Sequence, residues 1–274
     1  MDKTEKIGQS LIQHGKDSDR IYLMKLHQTD AASIIPVLFD LAHKNGYSKI
    51  FAKIPATYYP QFLMAGFQIE AAVPGFYGGN EDGLFLGHYL DPSRKSIKSE
   101  YLKSLGELLI SDVNALEQQQ TDEYSFRILN EEDIEQMTDV FRKVFASYPF
   151  PIFDPHYLRE TMEDGVIYFG AFNDTRMIGI SSAETDASSL NAEMTDFAVL
   201  PEARGKRLAL QLLNQMEQHL KNSSYKTLYT IARLHSPSMN KTFMNMKYKF
   251  AGTLINNTQI SGGIESMNIW YKNI

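Results

Sequence analysis

The sequence predicts an α+β fold made of two blocks, a smaller α/β unit at residues 1–120 and a larger unit at residues 125–274. Both blocks alternate strand-like apolar runs with helical periodicities, and the larger one has the order β-α-α-β-β-β-α-β-α-β-β. Residues 118–123 are polar and lack periodicity, which is typical of a linker. A chain of 274 residues is long enough to build two ordinary cores.

The first block is predicted to begin with a strand at residues 21–26 and a helix at 30–44. A strand at 49–54, a short helix at 57–66 and a strand at 67–73 follow. Proline and glycine predict a loop at 74–80, before a strand at 83–90. A helix over 94–118 would carry Tyr101, Leu105, Leu108 and Leu109 on one face, so we expect that face to pack on the rest of the block.

The second block is predicted to open with a strand at 126–129 and a helix at 131–146, which Asn130 can cap. An aromatic, proline-rich loop leads to a second helix beginning at Asp154. Strands at 166–172, 176–186 and 191–200 precede a long helix at 205–222. A strand at 226–233, a helix at 237–247 and strands at 249–256 and 263–272 complete the block.

The turn between the strand at 191–200 and the helix after it is the most informative segment. Arg204, Lys206 and Arg207 surround Gly205 in this turn, directly before the first turn of the helix. A helix N-terminus presents unpaired N–H groups and the positive end of the helix dipole, and both favour phosphate. The segment therefore predicts a site for a phosphorylated ligand.

Composition limits the other classes of partner. The formal net charge of −6 argues against nucleic acid or an anionic membrane as the main partner. The chain has no cysteine, and its seven histidines show no ligand-like spacing, so no metal site is expected. The N-terminus lacks a signal-like apolar run, and no run approaches the ~18 residues of a membrane span. We therefore expect a soluble, cytoplasmic protein.

The element order of the second block, together with its strand–basic turn–helix segment, resembles the GNAT acetyltransferase superfamily over residues 125–274. The resemblance implies a mixed, mostly antiparallel sheet flanked by helices, and acetyl-CoA as the cofactor. It also implies that strand backbone binds the pantetheine arm and that the basic turn binds the pyrophosphate. Arg207 stands where the family pattern usually has a second glycine or alanine. The cofactor-binding residues so implied are Phe197, Ala198, Val199, Arg204, Gly205, Lys206, Arg207, Leu208 and Ala209, with Asn240 as a further candidate or a helix cap.

Four segments, at residues 66–82, 235–240, 248–257 and 262–272, resemble a group within that superfamily, the β-lysine N6-acetyltransferases. This resemblance covers nearly the whole chain. It implies acetyl transfer to the ε-amine of β-lysine, a small-molecule substrate, whose product serves that group as a compatible solute. Another small-amine acetyltransferase, or a CoA-binding regulatory protein without catalysis, remains the alternative. The first block is then a degenerate acetyltransferase-like fold, a lid, or a dimerisation surface, which would make a homodimer.

Acyl transfer to an amine needs a neutral nucleophile, and a free ε-amine has a pKa near ~10.4. A carboxylate that accepts the proton is therefore expected. Glu193, six residues before Val199, is the first candidate, although it could equally be an ordinary strand residue in a salt bridge. Asp196 is the rival; it lies on the opposite face of a regular strand unless a bulge turns it.

No general acid is evident from the sequence. The resemblance places Phe243 where the superfamily usually has a tyrosine near the departing thiolate, and phenylalanine cannot donate a proton. The substrate pocket must hold a short chain that carries a carboxylate and two amines. Candidate substrate-binding residues lie in the loop after the first helix and on the last strands of the second block: Tyr148, Asn257, Glu265 and Asn268.

Overall fold

One mixed sheet runs through both blocks in the computed structural model, which describes residues 2–111, 123–260 and 262–274. The strands are β1 (Lys3–Ile7), β2 (Ser10–Gly15), β3 (Arg20–Lys25), β4 (Lys49–Pro55), β5 (Gln68–Tyr77), β6 (Glu81–Tyr89), β7 (Ser125–Ile128), β8 (Ile167–Asn173), β9 (Arg176–Asp186), β10 (Asn191–Val199), β11 (Thr227–Arg233), β12 (Lys249–Ile260) and β13 (Gly263–Asn273). The helices are α1 (Ile34–Asn45), α2 (Tyr59–Met64), α3 (Ser99–Leu109), α4 (Ile134–Val144), α5 (Pro155–Glu163), α6 (Leu208–Asn222) and α7 (Pro237–Asn245). None of these described helices is long and apolar enough to cross a membrane.

Strand order in the sheet is β1-β2-β3-β4-β6-β5-β12-β13-β11-β10-β9-β8-β7. Neighbouring described strands are antiparallel except for β3–β4 and β10–β11, which are parallel. Crossover helices, α1 and α6, connect these parallel pairs because a parallel connection must return over the sheet. The predicted fold class, a mixed and mostly antiparallel sheet flanked by helices, is confirmed.

The first half of the sheet repeats the topology of the second half. In each half antiparallel strands lead into a parallel pair, and a hairpin then inserts its second strand beside that pair: β6 against β4, and β13 against β11. The first strands of the two hairpins, β5 and β12, meet at the centre of the sheet. A degenerate acetyltransferase-like first block would show this arrangement. The division into 1–120 and 125–274 stays a prediction, because linker residues 118–122 lie outside the described residues.

Sequence and structure agree best in the second block. The Asn130 cap is present as a capping box with Asp133, and Asp154 caps α5 through the His156 N–H at 2.9 Å. Two predictions for the first block need correction. Strands β1 and β2 were not predicted, and β5 continues through Tyr77, so much of the predicted loop at 74–80 is strand. The predicted helix at 94–118 is α3 over Ser99–Leu109, and its last part falls outside the described residues.

The two halves share a core at the seam between β5 and β12. A cluster of buried side chains there joins Phe51, Phe76 and Phe85 of the first block to Tyr229 and Leu254 of the second. Burial of large aromatic groups is the main favourable contribution at such a contact. The halves are therefore packed as one unit.

Two further features hold the seam together. Gly252 has φ 149°, and a Cβ at this position would lie 2.0 Å from the Glu70 carbonyl oxygen, so only glycine lets β12 approach β5. Beside it, Lys49 Nζ lies 2.8 Å from Glu70 Oε2 and donates to the Ile255 carbonyl at 2.7 Å. Burial lowers the pKa of Lys49 to about 8, although Glu70 opposes this shift. The ion pair thus offsets only part of the cost of burying the ammonium group.

The sheet is strongly curled. Strand β3 lies far from β9 and β12 in sheet order, yet Lys25 Nζ is 2.9 Å from Asp186 Oδ2, and Arg20 Nη2 donates to Thr258 Oγ1 at 3.2 Å. Both contacts bring the first block over the concave side of the second. Residues of both blocks therefore enclose a cavity between them.

Replacing Glu70 with alanine is expected to lower the free energy of unfolding by ~3–5 kcal/mol, because Lys49 would stay buried and lose its partner. Urea denaturation measures the loss. Glu107→Ala is the control, since Glu107 pairs with Lys103 on the exposed surface of α3, and it should cost less than ~1 kcal/mol. Equal losses in the two variants would contradict a stabilising role for the buried pair.

Candidate active site

Strands β10 and β11 separate halfway along their length. Their parallel pairing covers only Asn191–Glu193 against Thr227–Tyr229, although β10 runs on to Val199 and β11 to Arg233. Beyond Glu193 the edge of β10 that faces β11 therefore has no strand partner among the described residues. Unpaired strand backbone can bind an extended ligand arm. Phe197–Val199, the segment predicted to face pantetheine, lies on this open edge.

A bulge in β10 brings Asp196 to the same side as Glu193. The register with β9 shifts between Thr195 and Ala198, and Asp196 has φ 54°. An extra residue in one strand turns the following side chains to the other face. Both carboxylates consequently line one cavity, and β10 has the bulge that was named as the condition for this placement of Asp196.

This cavity has a volume of about 650 Å³ and lies between the two blocks. Its acidic side chains come from the second block, and its basic and aromatic side chains come mainly from the first. The residues that matter most for its chemistry are Arg20, Tyr22, Phe51 and Lys53 from the first block, and Tyr148, Glu184, Glu193, Asp196, Tyr229 and Asn257 from the second. A small polar molecule would thus contact both halves.

Five acidic residues line the cavity, and three of them, Glu184, Glu193 and Asp196, influence one another's charge. Glu184 of β9 stands directly opposite Glu193 of β10, and Asp196 lies one bulge further along. Glu184 is exposed, whereas Glu193 is half-buried and Asp196 is buried. Burial raises the pKa of all three carboxyl groups, and the neighbouring charges of Glu193 and Asp196 raise that of Glu184 further. A cation entering the cavity would relieve this repulsion.

Hydroxyl groups and one lysine partly balance the carboxylates. Tyr148 and Ser182 donate to the two oxygens of Asp196, at 2.5 Å and 2.6 Å, and these bonds favour its charged form. Lys53 Nζ lies 3.0 Å from the Tyr229 hydroxyl, and its charge lowers the pKa of Glu193. Lys53 thus favours the deprotonated form of Glu193, which lies at the point where β10 and β11 separate.

The basic turn has an open surface. Arg204, Lys206 and Arg207 are exposed, and Gly205 has φ 81° with no atom near the position of a Cβ. Lys206 Nζ contacts the Tyr124 hydroxyl at 2.6 Å. Helix α6 begins directly after the turn, and no described side chain caps its N-terminus. Three cations and free N–H groups at one helix end suit a diphosphate.

Arg207 itself has φ 58° and ψ 22°, the left-handed conformation that glycine adopts most easily. Although the family pattern usually has glycine or alanine here, the backbone of Arg207 follows the conformation that a glycine would adopt. An arginine held there carries strain of ~1–2 kcal/mol. Its exposed side chain adds a third cation to the turn.

Several predicted site residues lie outside the cavity. Glu265 forms a two-point ion pair with Arg233, at 2.6 Å and 2.8 Å. Asn268 is fully buried and donates to Asn240 Oδ1 at 2.8 Å, and Trp270 Nε1 donates to the same oxygen at 2.8 Å. The Asn240 amide also donates to two carbonyl oxygens. These contacts hold α7 to β13; of the four predicted substrate residues, Tyr148 and Asn257 line the cavity.

Phe243 packs edge-on against Phe197, with ring centroids 5.7 Å apart, and against Tyr248 at 5.1 Å. Tyr248 is buried in the core and next to Glu217, which raises its pKa together with burial. Neither side chain lines the cavity. No residue described here stands out as the general acid.

Sequence reasoning missed Glu184, Lys53 and Arg20. Glu184 had a signal: a hairpin centred between residues 188 and 189 places it opposite Glu193, as the observed register does. Lys53 and Arg20 carried no such signal, because only the curl of the sheet brings β3 and β4 to the cavity.

An opened strand edge that leads into a basic turn at a helix N-terminus is an arrangement suited to an enzyme that binds a phosphorylated carrier. The profile of the "Acetyltransferase (GNAT) family" matches residues 131–241. The chain is 37% identical over 275 residues to beta-lysine N(6)-acetyltransferase of Methanococcus maripaludis, with 99% of each chain covered. It is 32% identical over 209 residues to N-acetyltransferase YodP of Bacillus subtilis, covering 76% of each chain.

A further relative, beta-lysine N(6)-acetyltransferase of Methanosarcina mazei, is 35% identical over 149 residues, which cover 54% of this chain and 55% of that one. The chain belongs to the GNAT acetyltransferase family and is an N-acetyltransferase. The resemblance inferred from the sequence is confirmed.

Arg207→Gly is expected to raise the free energy of unfolding by ~0–1 kcal/mol, because relief of left-handed strain exceeds the added chain entropy. Lys206→Gly is the matched control; it does not have a positive φ, so it should lose ~0.4–1 kcal/mol. Thermal unfolding of both variants tests this. A destabilised Arg207→Gly would show that the arginine side chain stabilises the turn.

Proposed function

We propose that this protein transfers the acetyl group of acetyl-CoA to the ε-amine of β-lysine. The observation that carries the proposal is the acidic cavity, which opens where β10 and β11 separate and which both blocks enclose. Three neighbouring carboxylates on the cavity wall attract a diamine, and one of them lies at the separation of the strands. The relative that matches nearly the full chain and bears the β-lysine name supports the same substrate.

The residues present fit acetyl-CoA. The open edge of Phe197–Val199 would accept the pantetheine arm, and Arg204, Lys206 and Arg207 with the α6 N-terminus would hold the diphosphate. When bound, acetyl-CoA supplies an activated acyl carbon. With no cysteine in the chain, we expect the amine to attack this carbon directly.

Glu193 is proposed to accept the proton of the ε-ammonium group. The amine must become neutral before it can attack, and its pKa of ~10.4 leaves little neutral form at pH 7. Burial raises the pKa of Glu193 toward neutrality, which improves its match to that task. Asp196, held by Tyr148 and Ser182, and Glu184 would then stabilise the positive charge before transfer. Water would protonate the departing thiolate.

Other small amines, such as lysine or a polyamine, remain the second candidate because the carboxylates would accept any cationic chain. A thiol-release assay over β-lysine, lysine, ornithine and spermidine separates these substrates. Absence of turnover with all four would favour a regulatory CoA-binding protein. The compatible-solute role of the product, a cytoplasmic location and a homodimer belong to the same proposal.

Arg204→Ala combined with Lys206→Ala should raise the dissociation constant of CoA, because each charge-assisted bond contributes ~1.5–3 kcal/mol. Calorimetry measures the change. The control is Lys221→Ala with Lys226→Ala, which removes two exposed charges near the opposite end of α6. Unchanged affinity in the first double variant would exclude this turn as the diphosphate site.

Glu193→Gln should lower kcat by ~10²–10⁴, the usual contribution of a general base, with CoA affinity intact. Wild-type activity should rise with pH as Glu193 loses its proton, above the ordinary range of a carboxyl pKa because that pKa is raised. The deficit of the variant should shrink at high pH, where more of the amine is already neutral.

Glu184→Gln is the matched control for this measurement. It removes a charge from the same cavity, but on β9, one strand further from the separated edge. We expect it to raise KM more than it lowers kcat. Wild-type kcat in Glu193→Gln at neutral pH would move the role of base to Asp196 or to water.

A further inference from the structure

Arg20 is a buried cation without a counter-ion. Only 4% of the residue is exposed, on the wall of the shared cavity. Its Nη2 donates to Thr258 Oγ1 at 3.2 Å and to Gln13 Oε1 at 3.4 Å, both neutral groups. Its Nε and Nη1 have no hydrogen-bond partner among the described residues. Buried guanidinium groups normally have their donors satisfied, so this side chain calls for an explanation.

Nearby acidic groups are already engaged. Glu70 pairs with Lys49 at 2.8 Å, and Asp19 pairs with Arg94 at 3.3 Å. Burial lowers the pKa of Arg20 to about 10, so the guanidinium remains charged at neutral pH. A buried charge of this kind is costly unless an anion meets it. Asp2 and Glu70 also favour the charged form of Arg20, but among the described residues no carboxylate forms an ion pair with it.

Aromatic rings flank Arg20 on the cavity wall. The guanidinium carbon lies 5.2 Å from the ring centroid of Tyr22 and 5.6 Å from that of Phe51. Asn257, the residue before Thr258, also lines the cavity, and its buried Oδ1 lacks a hydrogen-bond partner among the described residues. The cavity wall therefore carries free donors on Arg20 and a free acceptor on Asn257.

Tyr22 lines the cavity and is influenced by charges of both blocks. The pKa of its phenol is raised by burial and by Glu193, and it is lowered by Arg20. Arg20 lies on β3, whereas Glu184, Glu193 and Asp196 lie on β9 and β10.

We propose that Arg20 binds the carboxylate of an amino-acid substrate through its free Nε and Nη1, while the Asn257 Oδ1 accepts from the amine nearest that carboxylate. The inference rests on the proposed function and adds the part of the site that selects a diamino acid over a diamine. The first block thereby supplies specificity. Charge-assisted hydrogen bonds to a carboxylate are among the strongest in proteins, and guanidinium matches this group well.

The other two cations of the cavity, Lys25 and Lys53, suit this task less well. Lys25 already pairs with Asp186 at 2.9 Å. Lys53 is placed among several carboxylates. Its ammonium group already feels Glu193, Glu184 and Asp186, which raise its pKa against the effect of burial. These negative charges would repel an additional carboxylate near Lys53. Arg20 has no such neighbours in the cavity, so a substrate carboxylate is best placed beside it.

The test compares β-lysine with 1,4-diaminopentane, which is β-lysine without its carboxylate. Wild-type enzyme should prefer β-lysine by about 100-fold or more in kcat/KM, since a site built for a polar group rejects the analogue that lacks it. Arg20→Gln should lower kcat/KM for β-lysine by about 100-fold and change that for the diamine by less than ~3-fold. Arg20→Lys keeps the charge, so its kcat/KM for β-lysine should lie between the values of the wild-type enzyme and of Arg20→Gln.

Arg94→Gln is the matched control, because Arg94 is a buried arginine of the same block whose donors go to Asp19 and to the carbonyls of Ser18 and Asn256. It should lower the unfolding temperature and leave the substrate preference intact. Arg20→Gln should keep the unfolding temperature of the free protein and lose the thermal stabilisation that β-lysine gives. That combination separates a ligand-binding arginine from a structural one.

The outcomes distinguish this inference from the function on which it rests. Wild-type enzyme that acetylates none of the amines would refute the proposed function. Wild-type enzyme that acetylates β-lysine and the diamine equally, or an Arg20→Gln variant that keeps the wild-type preference, would overturn the role of Arg20 alone. If Arg20→Gln does not fold, an unchanged preference in Arg20→Lys together with unchanged KM for β-lysine would overturn it as well.

Discussion

The contact between β5 and β12 is the constraint on which the site depends. Gly252 lets the two strands approach, and the Lys49–Glu70 pair with its bond to the Ile255 carbonyl locks them together. Because this seam joins two curled half-sheets, β3 and β4 come to face β10 across one cavity. The charges that face each other there belong to strands far apart in the sheet. Neither half alone could enclose them.

Enclosure also explains the chemistry of the cavity. Charges interact more strongly where protein replaces part of the surrounding water, so the carboxylates of β9 and β10 and the guanidinium of Arg20 influence one another across the cavity. Under the proposed assignment, the substrate carboxylate lies beside Arg20 and the ε-amine lies beside Glu193. Burial also raises the pKa of Glu184 and of Glu193. A carboxylate with a raised pKa accepts a proton from the bound amine more readily, and acylation requires that proton transfer.

Much of the fold could be predicted from the sequence, and the reasons for the failures are physical. The second block has long periodic segments and clear caps, and all its helices and strands were predicted, with bounds that differ from the observed ones by up to about four residues. Strands β1 and β2 are short and polar, so their alternation is weak. The basic turn and Glu193 could be proposed because strand, turn and helix are local. Asp196 depends on a bulge at a non-glycine residue, and Arg20 and Lys53 depend on the curl of the sheet, and neither feature leaves a local pattern.

The repeated topology has a consequence for how such a protein changes over generations. The residues between β3 and α1 include no arginine, lysine or glycine, unlike the turn before α6. A phosphorylated carrier bound at that turn would therefore place no direct constraint on β3 and β4. Under the assignment of Arg20, substitutions on these two strands could change the preference among amines and leave the basic turn and Glu193 unaltered.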